Sequence, residues 1–300
     1  MSVFDWKART LRVVGEETII PSADTYHSPN GRRRIYLLVH GFNNTPDKAG
    51  KNYTAFRERL ETAIGSELTH EIWEFYWPGY EEGYAQILTL RTGREPASPL
   101  VTAYFYYRQV PKAIRYGKLL GDYILQLRTE LQETEVILIG HSLGCRLILE
   151  ALSHIEPHAP RWKVPAVLLM AAAVPESAVV LGGALRAGVE FSPYRFALFS
   201  HRDSALWGCF PAGQLLAGDG GPAPKAVGWR GGPEGCWTGR QSTQLSHGEY
   251  WENDVTTPNV ARVFGRATPH RLPAFVIVPW VLAQPPVLPA WRLPTRIQRR

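Results

Sequence analysis

Apolar residues along the chain fall into two alternating patterns, short continuous runs and longer stretches with helical spacing. The short runs predict strands at Ile35–Val39, Glu71–Trp77, Val136–Ile139, Ala166–Ala171 and Arg195–Ser200. The stretches with helical spacing predict helices at Pro46–Ile64, Leu100–Leu131, Leu143–His154, Glu176–Arg186 and Asn259–Phe264. We expect Pro111 to kink or divide the second helix. The alternation predicts an α/β fold with a mostly parallel central sheet flanked by helices on both faces.

A glycine-rich excursion at about residues 207–240 interrupts the alternation. Ten glycines occur from Gly208 to Gly239, which predicts a long irregular loop. One interpretation is a lid or binding wall beside an active site. The other is a disordered surface loop, and the sequence leaves both open.

The C-terminal segment differs in composition from the rest of the chain. Residues 272–291 contain no charged side chain over 20 positions, which is long enough to cross a bilayer. Five prolines in this stretch would break the hydrogen-bond ladder of a lipid-exposed helix. We therefore predict one domain over residues 1–267 and a proline-rich, apolar arm over 268–300. The arm packs on the body or on a protein partner, or it docks on a membrane surface with help from its terminal arginines.

Composition limits the classes of function. The 300 residues are 45% hydrophobic and 20% charged, which is typical of a globular protein. A net charge of +6 is mild for this length, and no zinc-finger or RNA-binding motif accompanies it. We therefore predict no nucleic-acid partner. Residues 1–11 lack the apolar stretch of a signal peptide, so the cytoplasm is the expected location, with signal-independent export left open.

One segment carries the chemistry. Residues 136–148 read VILIGHSLGCRLI, in which Gly140, Ser142 and Gly144 stand at alternate positions between an apolar strand and a helix. Small residues on both sides of Ser142 allow the chain to turn sharply and present the serine hydroxyl at the bend. The N-terminus of the following helix favours developing negative charge. The pattern therefore predicts Ser142 as a nucleophile.

A second segment supports the same chemistry. The strand Ile35–Val39 ends in His40-Gly41-Phe42-Asn43-Asn44. Acyl transfer requires two backbone N–H donors directed at the oxyanion. In a strand–turn–helix site one donor is the residue after the nucleophile, Leu143, and the other comes from the loop after an early strand, here Phe42.

These segments resemble the α/β-hydrolase superfamily. The resemblance rests on residues 39–44 (VHGFNN), 76–78 (YWP), 140–144 (GHSLG) and 202–203 (RD), and it covers roughly residues 33–265. The chain is similar in particular to a bacterial branch of uncharacterised hydrolases with a His-Gly-Phe-Asn loop. The resemblance implies an α/β-hydrolase fold and a serine hydrolase activity, and it explains neither the glycine-rich excursion nor the C-terminal arm.

The fold implies the chain order serine, acid, histidine. Asp203 follows the late strand Arg195–Ser200 and is the predicted acid, with Glu176, after the preceding strand, as the alternative. Histidines downstream of Asp203 are His247 and His270, of which His247 is the predicted base.

The sequence describes the substrate less well. We predict substrate contacts from residues near the two glycine motifs and the Tyr-Trp-Pro segment: His40, Gly41, Asn43, His141, Trp77 and Tyr80. Aromatic groups around residues 73–84 and 104–107 either wall an apolar acyl pocket or belong to ordinary packing. The expected substrate is a small-molecule or lipid ester, and the expected mechanism requires no metal and no organic cofactor. Two alternatives stay open: a catalytically silent binding protein, and a lipolytic effector recruited to a membrane or complex by the arm.

Overall fold

Eight strands form one sheet in the computed structural model, which describes residues 9–14, 18–21, 34–64, 70–81, 99–130, 135–256 and 259. The strands are β1 (Arg9–Val14), β2 (Thr18–Pro21), β3 (Arg34–Val39), β4 (His70–Tyr76), β5 (Glu135–His141), β6 (Ala166–Met170), β7 (Tyr194–Phe199) and β8 (Gly239–Ser242). Their order across the sheet is β2-β1-β4-β3-β5-β6-β7-β8. All neighbouring strands run parallel except β1 and β2. The predicted α/β fold class is confirmed.

The main helices flank this sheet. They are α1 (Pro46–Ile64), α2 (Pro99–Glu130) and α3 (Leu143–Ile155), followed by the short helices α4 (Glu176–Val179), α5 (Arg186–Glu190), α6 (Phe210–Leu216) and α7 (Val227–Arg230). Helix α3 packs against both α2 and α5, and α1 packs against β4. A π-helical turn, Ala205–Cys209, leads directly into α6, and both contact α2.

The central strands are the most apolar part of the sheet. Every residue of β6 is buried, as are all residues of β5 after Glu135. Strands covered on both faces lose the alternation of polar and apolar residues, because neither face meets water. These two strands therefore form a rigid base for the loops that follow their carboxyl ends.

Three short strands escape prediction from sequence. Strands β1 and β2 lie at one edge of the sheet and β8 forms the other edge. GRQS has no apolar residue, and RTLRVV and TIIP each contain only two consecutive apolar residues, so none of the three shows the apolar run of a buried strand. Pairing with a neighbour, rather than local hydrophobicity, decides that these segments are strands.

Two helix predictions are wrong in detail. Helix α2 continues through Pro111, which is exposed, so the predicted division is wrong, and a kink at this residue stays a prediction. The single helix predicted over Glu176–Arg186 is instead two short helices, α4 and α5. Gly182 separates them in a left-handed conformation (φ 79°) that glycine adopts without strain.

The glycine-rich excursion is not irregular throughout. It contains part of the π-helical turn as well as α6 and α7. Three glycines with positive φ lie between α6 and α7, and three more follow α7. Its inner residues Phe210 and Val227 are buried. The excursion is therefore a packed wall with helical parts.

Several predicted features lie outside the described residues. They are the C-terminal arm (268–300), the domain boundary before it, His270, and the closing helix predicted at Asn259–Phe264 beyond its first residue. Within the described ranges, no helix has the length and apolar character needed to cross a membrane.

Candidate active site

Ser142 lies at the sharp bend between β5 and α3. Its backbone adopts φ 54° and ψ −124°, which few residues other than glycine adopt. Two backbone bonds from β6 and the loop after it hold the bend: the Ser142 N–H donates to the Met170 carbonyl at 2.9 Å, and the Ala173 N–H donates to the Ser142 carbonyl at 3.1 Å. The serine is therefore held at the carboxyl end of two adjacent buried strands.

Gly41 and Gly144 allow the loop after β3 and the Ser142 bend to approach each other closely. A Cβ atom on Gly144 would overlap the carbonyl oxygens of Val39 and His40 at the end of β3. A Cβ atom on Gly41 would lie 2.6 Å from the Cβ of Ser142. The loop after β3 and the serine bend therefore pack against each other with no room for a side chain.

His247 lies between Ser142 and Asp203. Its Nδ1 is 2.7 Å from the Asp203 Oδ2, and its Nε2 is 2.8 Å from the Ser142 Oγ. A carboxylate only accepts, so Nδ1 carries the ring proton and Nε2 accepts from the serine hydroxyl. Asp203 is completely buried, and its Oδ1 accepts the Leu206 N–H at 2.9 Å. The three predicted side chains therefore form one continuous hydrogen-bonded chain.

Sheet topology explains why these three residues meet. Ser142 follows β5, Asp203 follows β7, and His247 lies beyond β8. Because β5, β6, β7 and β8 are parallel neighbours, their carboxyl ends lie at the same edge of the sheet. Loops at this edge are where α/β folds bind their ligands.

Glu176, the alternative acid, lies elsewhere in the hydrogen-bond network. It begins α4, where its N–H donates to the Lys225 carbonyl at 2.8 Å. Burial raises the pKa of its carboxyl group, while Lys225 and Arg230 act in the opposite direction. The carboxylate bonded to the His247 ring belongs to Asp203.

The two predicted oxyanion donors lie on either side of Ser142. Leu143 is the first residue of α3, and the N–H of a first helical residue has no acceptor within its own helix. Phe42 belongs to the loop after β3, which is tied down where the Asn43 N–H donates to the Gly79 carbonyl at 2.8 Å. Asn43 itself has a positive φ of 60°. The use of these amides by an oxyanion stays a prediction.

A cavity of about 190 Å³ opens beside Ser142 and His247. Of the six predicted substrate-contact residues, Asn43 is among the described residues that line it. Eight further described lining residues were not among the predicted site residues. They come from α1, α2, the loop after β6, and the π-helical turn with α6: Lys48, Thr102, Tyr106, Ala173, Ala205, Leu206, Cys209 and Phe210. Tyr106 belongs to the aromatic group at residues 104–107, for which the sequence left open a pocket wall or ordinary packing. The uncharged stretch between Asp203 and Asp219 is an available sequence signal for Ala205, Leu206, Cys209 and Phe210.

The other five, His40, Gly41, His141, Trp77 and Tyr80, do not line this cavity, and their contact with substrate stays a prediction. His40 and Trp77 are buried and stacked at 5.7 Å, and the Trp77 Nε1 donates to the His40 carbonyl at 2.8 Å. Burial lowers the pKa of His40 to about 4, so its ring is neutral at pH 7. Gly41 packs on Ser142, and Tyr80 is partly buried outside the lining. These residues form the support under the loop after β3.

His141 also lies beneath the site rather than in the cavity. It is buried, and its Nε2 is 2.7 Å from the backbone carbonyl oxygen of His247. Burial, and then the nearby charge of a protonated His247, lower the pKa of His141 to about 3. Its ring is therefore neutral at pH 7.

Comparison with known families identifies the fold family. Residues 24–207, more than half of the chain, match a family described as an alpha/beta hydrolase of unknown function (DUF900). The chain belongs to this family. The fold is accordingly the α/β-hydrolase fold, and comparison with curated proteins gives no match.

Solved structures with a similar arrangement have low sequence identity to this hydrolase. TT1662 from Thermus thermophilus is 15% identical, with a TM-score of 0.44 and coverage of 81% of this chain and 92% of that one. The RedJ thioesterase from the prodiginine biosynthetic pathway of Streptomyces coelicolor is 14% identical, with a TM-score of 0.40 and coverage of 81% and 91%. An extracellular α/β-hydrolase from a Paenibacillus species is 12% identical, with a TM-score of 0.38 and coverage of 78% and 98%.

A search for metal-binding groups gives no candidate in the described ranges. No cluster of three or more His, Cys, Asp or Glu side chains there has the arrangement of a metal site. The side chains that meet at Ser142 are a hydroxyl, an imidazole and a buried carboxylate.

Proposed function

We propose that this α/β hydrolase is a serine hydrolase that cleaves carboxylic esters through an acyl-enzyme intermediate, with Ser142, His247 and Asp203 as its catalytic residues. The observation that carries the proposal is the hydrogen-bonded chain from Ser142 Oγ through His247 to Asp203, at 2.8 Å and 2.7 Å. A nucleophile bonded to a base, which is in turn oriented by a third group, is the signature of covalent acyl transfer. We also infer membership of the bacterial branch with a His-Gly-Phe-Asn loop, which is supported by the sequence HGFN at residues 40–43.

The mechanism follows from the proton positions. The Ser142 oxygen attacks the ester carbonyl carbon while its proton moves to His247 Nε2. Asp203 keeps the other ring nitrogen protonated and stabilises the imidazolium ion that forms. The N–H groups of Phe42 and Leu143 bind the oxyanion of the tetrahedral intermediate, and losing one such donor costs about 3 kcal/mol of barrier. His247 then protonates the leaving alkoxide, and a water molecule that it activates releases the acid from Ser142.

The cavity indicates a small, apolar acyl group. Its volume of about 190 Å³ is below the roughly 300–1,000 Å³ of sites for drug-sized ligands. The apolar part of its described lining comes from Phe42, Tyr106, Leu206 and Phe210, with Ala173 and Ala205. Lys48 is the one charged residue among the described lining residues, and no carboxylate accompanies it. An ester of a short fatty acid therefore suits the site better than a cationic ester.

Labelling with a fluorophosphonate probe tests the nucleophile. Wild-type protein should be labelled, and Ser142→Ala should not. Ser177→Ala is the matched control, because Ser177 is an exposed serine whose hydroxyl donates to the Gly220 carbonyl. This control should be labelled at the wild-type rate. Absence of labelling in the wild type would contradict the proposal and favour a catalytically silent binding protein. Labelling that persists in Ser142→Ala would contradict it by placing the reactive nucleophile at another residue.

A panel of p-nitrophenyl esters tests the substrate class. We expect kcat/KM to be highest for acetate and butyrate and to fall for octanoate and dodecanoate, because the longer chains exceed the cavity. A thioester of the preferred acid belongs in the panel, since the same residues can attack either bond. Faster turnover of dodecanoate than of butyrate would overturn the assignment of a short acyl group.

A further inference from the structure

Few backbone hydrogen bonds join the segment that carries His247, residues 244–249, to the rest of the described protein. Most of its backbone hydrogen bonds are local. The Glu249 N–H donates to the Ser246 carbonyl at 3.2 Å, and the Glu252 N–H donates to the Glu249 carbonyl at 3.3 Å. The Ser246 N–H donates to the Glu249 carboxylate at 2.7 Å, and the Leu245 N–H donates to the nearby Thr243 hydroxyl. In the described part of the chain, one hydrogen bond joins this backbone to a distant element. It runs from His141 Nε2 to the His247 carbonyl oxygen at 2.7 Å.

The chemistry of this bond assigns the proton of His141. A backbone carbonyl only accepts, so Nε2 must be the protonated nitrogen of a neutral ring. The other nitrogen, Nδ1, is buried and has no hydrogen-bond partner among the described residues. An unpaired buried acceptor destabilises a fold by about 1–3 kcal/mol. An apolar side chain would avoid this cost, so packing alone does not account for a histidine here.

Aromatic packing holds the His141 ring in place against the same segment. Its ring centroid is 5.1 Å from that of His247 and 5.9 Å from those of Tyr250 and Trp251. Trp251 in turn packs on Tyr53 of α1 at 5.4 Å. The donor nitrogen therefore has a defined position from which to hold the His247 backbone.

We propose that His141 is a positioning residue for ester hydrolysis: its Nε2–H fixes the His247 backbone so that the imidazole ring lies within reach of both Ser142 and Asp203. The inference rests on the proposed serine mechanism. His141 and Ser142 are consecutive residues of one bend, so the nucleophile and the anchor of the base move as one unit. A shift of the bend therefore moves His247 together with Ser142 and preserves the distance between the two side chains.

Substitutions at residue 141 test this role. His141→Phe keeps a ring but removes the donor, and His141→Leu removes both. We expect either variant to lower kcat for p-nitrophenyl butyrate at least about tenfold, with KM within about twofold of wild type, because positioning acts on the chemical step. His141→Gln, whose amide nitrogen can replace Nε2 as donor, should recover kcat to within about threefold. The rate of fluorophosphonate labelling should follow kcat in all three variants.

Stability controls separate positioning from folding. Ser192→Ala removes a buried hydroxyl that donates to the Tyr194 carbonyl at 2.8 Å, at the amino end of β7 and away from the site. It should lower the thermal midpoint and leave kcat unchanged. The role of His141 is overturned if Phe or Leu at this position retains wild-type kcat, or if Gln is as slow as Leu. It is equally overturned if the Phe and Leu variants both fail to fold and the Gln variant folds but has a kcat tenfold or more below that of wild type. A wild-type protein that cleaves no ester and takes no label instead contradicts the proposed function itself.

Discussion

At the scale of single residues, Ser142 combines an uncommon backbone conformation with the reactive position. A non-glycine residue held at positive φ in a sparsely populated region costs of the order of 1–3 kcal/mol. Backbone bonds to Met170 and from Ala173 hold Ser142 there. The bend also requires Gly144, since any side chain at that position meets the end of β3.

Gly144→Ala should therefore destabilise the protein and abolish most activity. Overpacking of this kind costs about 1–3 kcal/mol, and relief of the overlap with Val39 and His40 would displace the Ser142 bend. Urea denaturation gives the free energy of unfolding, and fluorophosphonate labelling gives the reactivity of the serine. Gly208→Ala is the control, because a Cβ atom there meets no atom within 4 Å. Equal stability of the two variants would show that the close packing is not required.

Asp203→Asn tests the acid. The carboxylate is completely buried and bonded to His247, so its loss should disfavour the required tautomer and lower kcat roughly 10³- to 10⁴-fold. Steady-state ester hydrolysis measures this effect, with circular dichroism to verify the fold. Glu176→Gln should keep kcat within about twofold of wild type. If the Glu176 variant is inactive and the Asp203 variant active, the acid is misassigned.

At the scale of elements, the π-helical turn and α6 form one uncharged segment with two faces. Leu206 and Phe210 are buried and line the cavity, whereas Trp207 and Leu215 on the same segment are exposed at 65% and 58%. The inner face packs on α2, where the ring of Phe210 lies 6.0 Å from that of Tyr106. This contact closes one side of the cavity and is the expected limit on the acyl chain.

Phe210→Ala should extend the cavity and shift the substrate preference. We expect the ratio of kcat/KM for octanoate to that for butyrate to rise about tenfold, since a methylene group in an apolar pocket is worth about 1–3 kcal/mol. The p-nitrophenyl ester panel measures this ratio. Leu215→Ala, on the outer face of the same helix, should leave the ratio at the wild-type value. An unchanged ratio in Phe210→Ala would place the acyl group elsewhere.

At the scale of the whole molecule, two buried histidines link stability to pH. Burial lowers the pKa of His40 to about 4 and that of His141 to about 3, against 6.5 for an exposed histidine. Between these values the unfolded chain binds protons that the folded chain does not, so the free energy of unfolding falls as the pH drops below about 6.5. At pH 5 each histidine should contribute a loss of about 2 kcal/mol relative to pH 7.

Urea denaturation at pH 7 and pH 5 measures this loss. In His40→Gln the difference between the two pH values should shrink by about 2 kcal/mol, whatever the variant does to stability at pH 7. His158→Gln, at an exposed histidine, is the control and should keep the wild-type difference. A difference that is the same in His40→Gln and in wild type would show that His40 takes up its proton in the folded state.

The sequence by itself determined the features that depend on local patterns. Apolar runs and helical spacing predicted the central strands and the main helices, including α1 with both its ends. The alternate Gly140, Ser142 and Gly144 predicted the bend, because its steric requirements fall within five residues. Chain order named Asp203 and His247 as candidate partners of the serine and left Glu176 and His270 as alternatives.

Tertiary structure decided what depends on distant neighbours. Strands β1 and β2 at one side of the sheet and β8 at the opposite edge form through pairing, which their own sequences hardly reveal. The cavity wall is shared among α1, α2, the loop after β6 and α6, so no single segment carries its pattern. The position of His141 under His247, 106 residues further along the chain, arises because the sheet brings the ends of β5 and β8 to the same edge. Local features can be predicted from neighbouring residues in the sequence, whereas contacts between distant segments exist only once the sheet has assembled.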